Sequence, residues 1–154
     1  MIKKAAFGAG CFWHVQKEFD KLKEVTKTIT GFMGGKTKNP SYEMVCAGGT
    51  GHAETIYIEY DEKKINYDEL LKTFWKMHNP TELNRQGFDI GSQYRSVIFY
   101  YDENQKKKAI KSKEEEQKKH KNKIATIIEP AGEFYKAEEY HQKYYKKHGG
   151  ACGL

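Results

Sequence analysis

The strongest constraint on the fold is the order in which two periodicities follow one another along the chain. Short strand-like runs, several alternating apolar and polar residues, are interleaved with stretches whose apolar side chains recur every three to four positions, as in a half-buried helix. Residues 4–7 read as a first strand and 12–22 as a helix. Residues 25–30, with their β-branched side chains, read as a second strand, and 54–60 (Ile56, Ile58, Tyr60) as a third. Leu70, Leu71, Phe74 and Trp75 line one side of a helix predicted over 67–78, stopped by Asn79-Pro80. A fourth strand is expected at 96–101, and Asp102 can cap a charged helix over 103–122. The order β-α-β-β-α-β predicts an α+β, ferredoxin-like split βαβ plait, a two-layer sandwich. A further strand at 124–129, a tyrosine-rich helix at 137–147 and a glycine-rich tail follow.

With 154 residues and no internal repeat, the chain is expected to form one domain over 1–154, residues 148–154 being a mobile tail. Two long polar segments, 31–51 and 81–95, interrupt the periodic pattern and are expected to be functional loops. The apolar share is 38% and the charged share 31%, which describes a small core beneath a heavily charged surface. The net charge of +6 would attract anions, but Glu114-Glu115-Glu116 interrupts the lysines of 106–123, so a solvated helix face is expected there and not a nucleic-acid interface. No apolar run is long enough to span a membrane. The start, Met1-Ile2-Lys3-Lys4-Ala5, has no signal-peptide pattern, so a cytoplasmic, monomeric protein is expected.

Three cysteines, Cys11, Cys46 and Cys152, are too few and too scattered for a disulfide framework, and no CxxC pair offers a zinc-ribbon or dithiol spacing. Cys11 is the informative one. It follows a strand and the turn Gly8-Ala9-Gly10 and stands at a helix start, where the dipole favours a thiolate. Phe12 and Trp13 come next and can wall an apolar pocket around the sulfur. A buried structural cysteine is the alternative reading. If the strands share one antiparallel sheet, the ends carrying Cys11, Glu54 (in Gly51-His52-Ala53-Glu54), Asp89 and Tyr94 meet, with Tyr42 nearby. A nucleophile surrounded by proton donors results. Glu54 could instead pair with a lysine, and His14 and His52 could join Cys11 and Cys46 around zinc, though without regular ligand spacing. A thiol peroxidase or redox sensor would share Cys11 but need neither Glu54 nor an apolar pocket.

Three motifs in the right order then carry a resemblance that runs through nearly the whole chain. They are Gly10-Cys11-Phe12-Trp13, Gly51-His52-Ala53-Glu54, and the string from Leu83 to Ser96, reading LNRQGFDIGSQYRS. Tyr42, in Asn39-Pro40-Ser41-Tyr42-Glu43, accompanies them. With these the chain resembles the A-type peptide methionine sulfoxide reductases, the class that restores oxidised methionine. The resemblance implies an α/β plait and thiol-dependent reduction of the S epimer of methionine sulfoxide, free or in proteins. Cys11 would be the nucleophile and Glu54 the acid that protonates the sulfoxide oxygen. Tyr42 and Tyr94 would bond that oxygen, Asp89 would hold a water or phenol, and Phe12 and Trp13 would enclose the S-methyl group. It also implies a resolving role for Cys152 in the tail, a Cys11–Cys152 disulfide opened by thioredoxin or a similar dithiol, and no cofactor. The chain departs from some relatives in having one tail cysteine, and from many in having His14 where they have glycine. Cys46 is expected to pack as a small apolar residue; near Cys11 it would be a rival resolver.

Overall fold

The computed structural model describes residues 1–148; Cys152 and the tail from residue 149 lie outside them. Among the described residues the chain runs β1 (Ile2–Ala9), α1 (Phe12–Asp20), β2 (Val25–Met33), α2 (Tyr42–Ala47), β3 (Ala53–Asp61), α3 (Tyr67–Lys76), β4 (Arg85–Gln86), β5 (Asp89–Ile90), β6 (Ser96–Tyr100), α4 (Glu103–Gln117), β7 (Ile127–Pro130), β8 (Tyr135–Lys136) and α5 (Tyr144–His148). Single 3-10 turns lie at Ser92–Tyr94 and Glu139–His141. The fold is α+β, as expected. Its sheet has the order β7-β6-β1-β3-β2-β8, and β4 and β5 form a separate hairpin. The central pairings are antiparallel, and only β7 runs parallel to its neighbour β6, so the sheet is mixed.

Burial on one face explains the helices. Phe7, Ile56, Ile58 and Ile98 from the sheet meet Val15 and Phe19 of α1, Leu70, Leu71 and Phe74 of α3, and Ala109 of α4, all with almost no exposure. Phe7 stacks on Phe19 and Phe74 with ring centroids 5.3 and 5.2 Å apart. Each such fully buried side chain stabilises by about 1.5–3 kcal/mol. The caps are local. Asn66, Asp102 and Ser41 each accept from a backbone N–H three residues on, at 3.0, 2.8 and 3.2 Å, so α3, α4 and α2 each start on a satisfied donor.

Several expected boundaries move, each for a visible reason. Residues 31–51 are not one irregular loop. β2 continues through Gly31, Phe32 and Met33, and α2 forms behind its Ser41 cap. Gly31 is tolerated inside the strand because Phe134 and Tyr135 lie over it; a Cβ there would stand 2.4 Å from both. The helix expected over 137–147 is broken. A 3-10 turn leads into Lys143 at φ +56°, and helix resumes only at Tyr144. Side-chain bonds override helical propensity here. Gln142 donates to the Thr30 and Ala137 carbonyls and accepts from the Thr30 N–H, while the Lys143 N–H donates to Gln16 at 2.7 Å. Lys143 Nζ reaches Asp20 at 2.8 Å and Thr28 at 2.6 Å. The segment before α5 is thereby clasped to α1 and β2.

Candidate active site

Cys11 is the N-cap residue of α1, half-buried, and its carbonyl accepts from the His14 and Val15 N–H groups. Gly10 before it has φ +91°, and the Gln86 side chain packs 2.9 Å from where a Cβ would stand. Glycine is therefore required in the turn that delivers the sulfur.

Glu54 follows from the strand period. Alternate residues of β3 face the same side, so Glu54, Ile56, Ile58 and Tyr60 all point toward the helices, and Glu54 stands opposite Phe32 of β2. A carboxyl thus takes a core position at the end of an otherwise apolar row, and it is 1% exposed. Oε1 accepts the Phe12 N–H at 3.1 Å, and Oε2 is buried with no hydrogen-bond partner among the described residues. No lysine pairs with it among those residues, so the ion-pair alternative is out. Burial pushes the Glu54 pKa well above the usual carboxylate range; the charges of Cys11 and Asp89 push the same way, and the Phe12 N–H pulls down. Burial outweighs that single donor, so the environment favours the neutral carboxyl over the carboxylate.

The other expected residues come to the same place. Tyr42, at the start of α2, stacks near Phe12 and Trp13, with centroids 6.1 and 6.4 Å away. Its phenol is raised above the ordinary tyrosine value, first by burial, then by a hydrogen bond with Cys46 and the nearness of Glu54. Tyr94, on the 3-10 turn after β5, is raised by burial and by Glu54, Cys46, Asp89 and Cys11. Burial also raises Asp89, on the hairpin strand β5. Acid and phenols alike are biased to their neutral, donor-bearing forms around one sulfur. Phe12 is fully buried against Phe32, 5.6 Å between centroids, with Trp13 partly exposed beside it.

One placement differs from expectation, an alternative for two histidines is settled, and one residue is new. Cys46 does not pack in the core. It is exposed on α2, bonded to Tyr42, within electrostatic range of Cys11 and Glu54, and its thiol is raised chiefly by partial burial of the sulfur. His52 and His14 are engaged elsewhere. His52 accepts the Gly35 N–H at Nδ1 and donates from Nε2 to Thr37 O at 2.7 Å, clasping the loop, and His14 Nε2 faces Met77 O. No group of three or more metal-ligating side chains occurs among the described residues. The new residue is His141, which reading the sequence missed. It is fully buried, and its Nδ1 accepts the Trp13 indole N–H at 2.9 Å.

A half-buried thiol at a helix start, beside a buried carboxyl of raised pKa and two phenols, is the equipment of a thiol-dependent oxidoreductase. Comparison with known proteins gives the family. Residues 3–153 match the family model "Peptide methionine sulfoxide reductase". The chain is 51% identical over 151 residues to peptide methionine sulfoxide reductase MsrA of Geobacter sulfurreducens, covering 97% of this chain and 93% of that one. Among solved structures, Mxr1 from Saccharomyces cerevisiae in reduced form superposes with a TM-score of 0.93 at 40% identity, covering 99% of this chain and 90% of that one. Mxr1 in complex with Trx2 matches with a TM-score of 0.67 at 28% identity, covering 93% and 84%. The chain belongs to the peptide methionine sulfoxide reductase family, a family of oxidoreductases.

Proposed function

We propose that this enzyme reduces the S epimer of methionine sulfoxide, free or in proteins, through Cys11. The thiolate attacks the sulfoxide sulfur. Glu54 delivers a proton to the sulfoxide oxygen, which Tyr42 and Tyr94 hold by hydrogen bonds and Asp89 helps to orient. The oxygen passes to Cys11, so the products are methionine and a Cys11 sulfenic acid. Phe12 and Trp13 enclose the S-methyl group. The observation that carries the reading is Glu54: fully buried, held at Oε1 by the Phe12 N–H, and left with an unpartnered Oε2 beside the thiol. A protonated acid in that position is what a poor leaving oxygen needs.

The Cys152 thiol then condenses with the sulfenic acid, releasing water and forming a Cys11–Cys152 disulfide, which a dithiol of the thioredoxin kind opens. Support comes from the glycine-flanked position of Cys152 and from the complex of the yeast relative with Trx2. In the same reading the chain is one catalytic domain and a monomer. The antiparallel order β6-β1-β3-β2 of the inner strands supports the ferredoxin-like split βαβ plait. Three scattered cysteines with no CxxC spacing suit a reducing compartment such as the cytoplasm, and no helix among the described residues is long and apolar enough to cross a membrane.

The test is turnover of each methionine sulfoxide epimer with a dithiol, then peptide mapping after one equivalent of substrate. Reduction confined to the S epimer and a Cys11–Cys152 bridge are expected. Turnover of peroxide without turnover of either epimer would overturn the activity. A Cys11–Cys46 bridge would move the resolving role.

A further inference from the structure

We propose that His141 is a positioning residue whose neutral imidazole sets the orientation of the Trp13 ring over the bound sulfoxide's methyl group. The inference rests on the pocket reading of Trp13 given above.

An indole nitrogen can only donate. Since Trp13 Nε1 lies 2.9 Å from His141 Nδ1, that nitrogen carries the lone pair, and the ring's single proton is on Nε2. Nε2 is buried with no partner among the described residues. A buried, unmatched N–H is costly, and the geometry gives the ring one job that offsets it: accepting from Trp13. Burial holds the imidazole below its ordinary pKa, which preserves the accepting form, although Glu138 pulls the other way.

The surroundings fit orientation better than filling. Trp13 lies face to face with Tyr144 at 3.8 Å and 8°, a stacking contact that defines the ring's plane but carries no directional bond within that plane. The hydrogen bond to His141 supplies one. His141 itself is wedged between Tyr42 and Tyr140, with centroids 4.2 and 3.9 Å away, and the next two residues are the ones clasped to β2 and α1. A rigid acceptor is thus presented to the one pocket wall that is partly exposed.

The test compares His141→Asn, whose Oδ1 can accept where Nδ1 did, with His141→Phe, which keeps a ring but has no acceptor. With free methionine sulfoxide and a small dithiol, His141→Phe should raise KM about three- to tenfold, the worth of one hydrogen bond, with kcat within about twofold. His141→Asn should stay within about twofold of the parent in both. The Trp13 indole N–H resonance in a 15N-labelled sample should move in His141→Phe and not in His141→Asn. The second indole, Trp75, bonded to Ser112 Oγ, serves as reference. In a Trp13→Phe background the His141→Phe change should add less than about twofold, because its partner is already gone. Unchanged KM in His141→Phe, equal damage in both variants, or full additivity with Trp13→Phe would overturn the inference. Absence of turnover in the parent enzyme would instead overturn the reading on which it rests, and the resonance shift is scored independently of activity.

Discussion

One row of side chains on β3 serves two regions that obey opposite rules. Toward the middle of the strand, Ile56 and Ile58 meet Phe7, Phe19 and Phe74 in a wholly apolar layer. Two residues earlier, on the same face, Glu54 is buried as deeply, yet it has an unpartnered oxygen and neighbours that include a thiol, two phenols and another carboxyl. The middle region is packed for stability, and in the proposed mechanism the end region gives up stability for chemistry. An apolar residue would suit position 54 better if folding were the only demand.

The largest effect that would break this contrast is in Cys11→Ser. It should abolish methionine sulfoxide reduction while thermal unfolding stays close to that of the parent, because a hydroxyl is a far weaker nucleophile. Normal turnover would sink the mechanism. Glu54→Gln should follow, slowing the single-turnover rate by about a hundredfold or more with the fold intact. It should also flatten a pH dependence. In the proposed mechanism Glu54 acts in its protonated form, so the parent's chemical step should fall as pH rises through the raised pKa. The same group binds a proton more tightly in the folded chain than in the unfolded one. Its contribution to stability is therefore complete below the ordinary glutamate range and is lost as pH rises from there through the raised value. Unfolding curves of parent and variant across that window should converge at low pH; parallel curves throughout would mean Glu54 is not shifted. Ile58→Val, four residues from Glu54 on the same face, should do the reverse. It should cost about 0.5–1.5 kcal/mol of stability and leave kcat/KM per folded molecule unchanged. A catalytic loss there would erase the distinction between the two regions. The smallest effect is expected for Cys46→Ser, with dithiol-driven turnover within about twofold of the parent, since its thiol is raised in pKa and bonded to Tyr42. A larger loss, matched by a Cys11–Cys46 bridge in peptide maps, would make Cys46 the resolver.

Much of this was legible in the residues themselves. The β-α-β-β-α-β order and the period-two row that ends in Glu54 follow from local pattern, as do the Asp102 cap and the placing of Cys11 at a helix start. The string holding Asp89 and Tyr94 was readable because so many consecutive residues coincide with one family. His141 was not, because it lies in a tyrosine-rich stretch whose periodicity reads as a single helix. The break at Lys143 is caused by Asp20, Thr28 and Gln16, more than a hundred residues away, and no local rule sees them. Cys46 was misjudged for a related reason. A small thiol in a glycine-rich segment looks apolar until α2 is seen to present it beside Tyr42, on the outside.

The clasp of Gln142 and Lys143 onto Thr30 and Gln16 also orders events in time. These bonds join residues 112 and 127 positions apart. During synthesis Cys11 and Glu54, the proposed nucleophile and acid, emerge within little more than the first third of the chain, whereas Trp13 waits for His141 before it has its hydrogen-bond acceptor. A growing chain therefore carries Cys11 for most of its birth without His141 and the clasp beside Trp13.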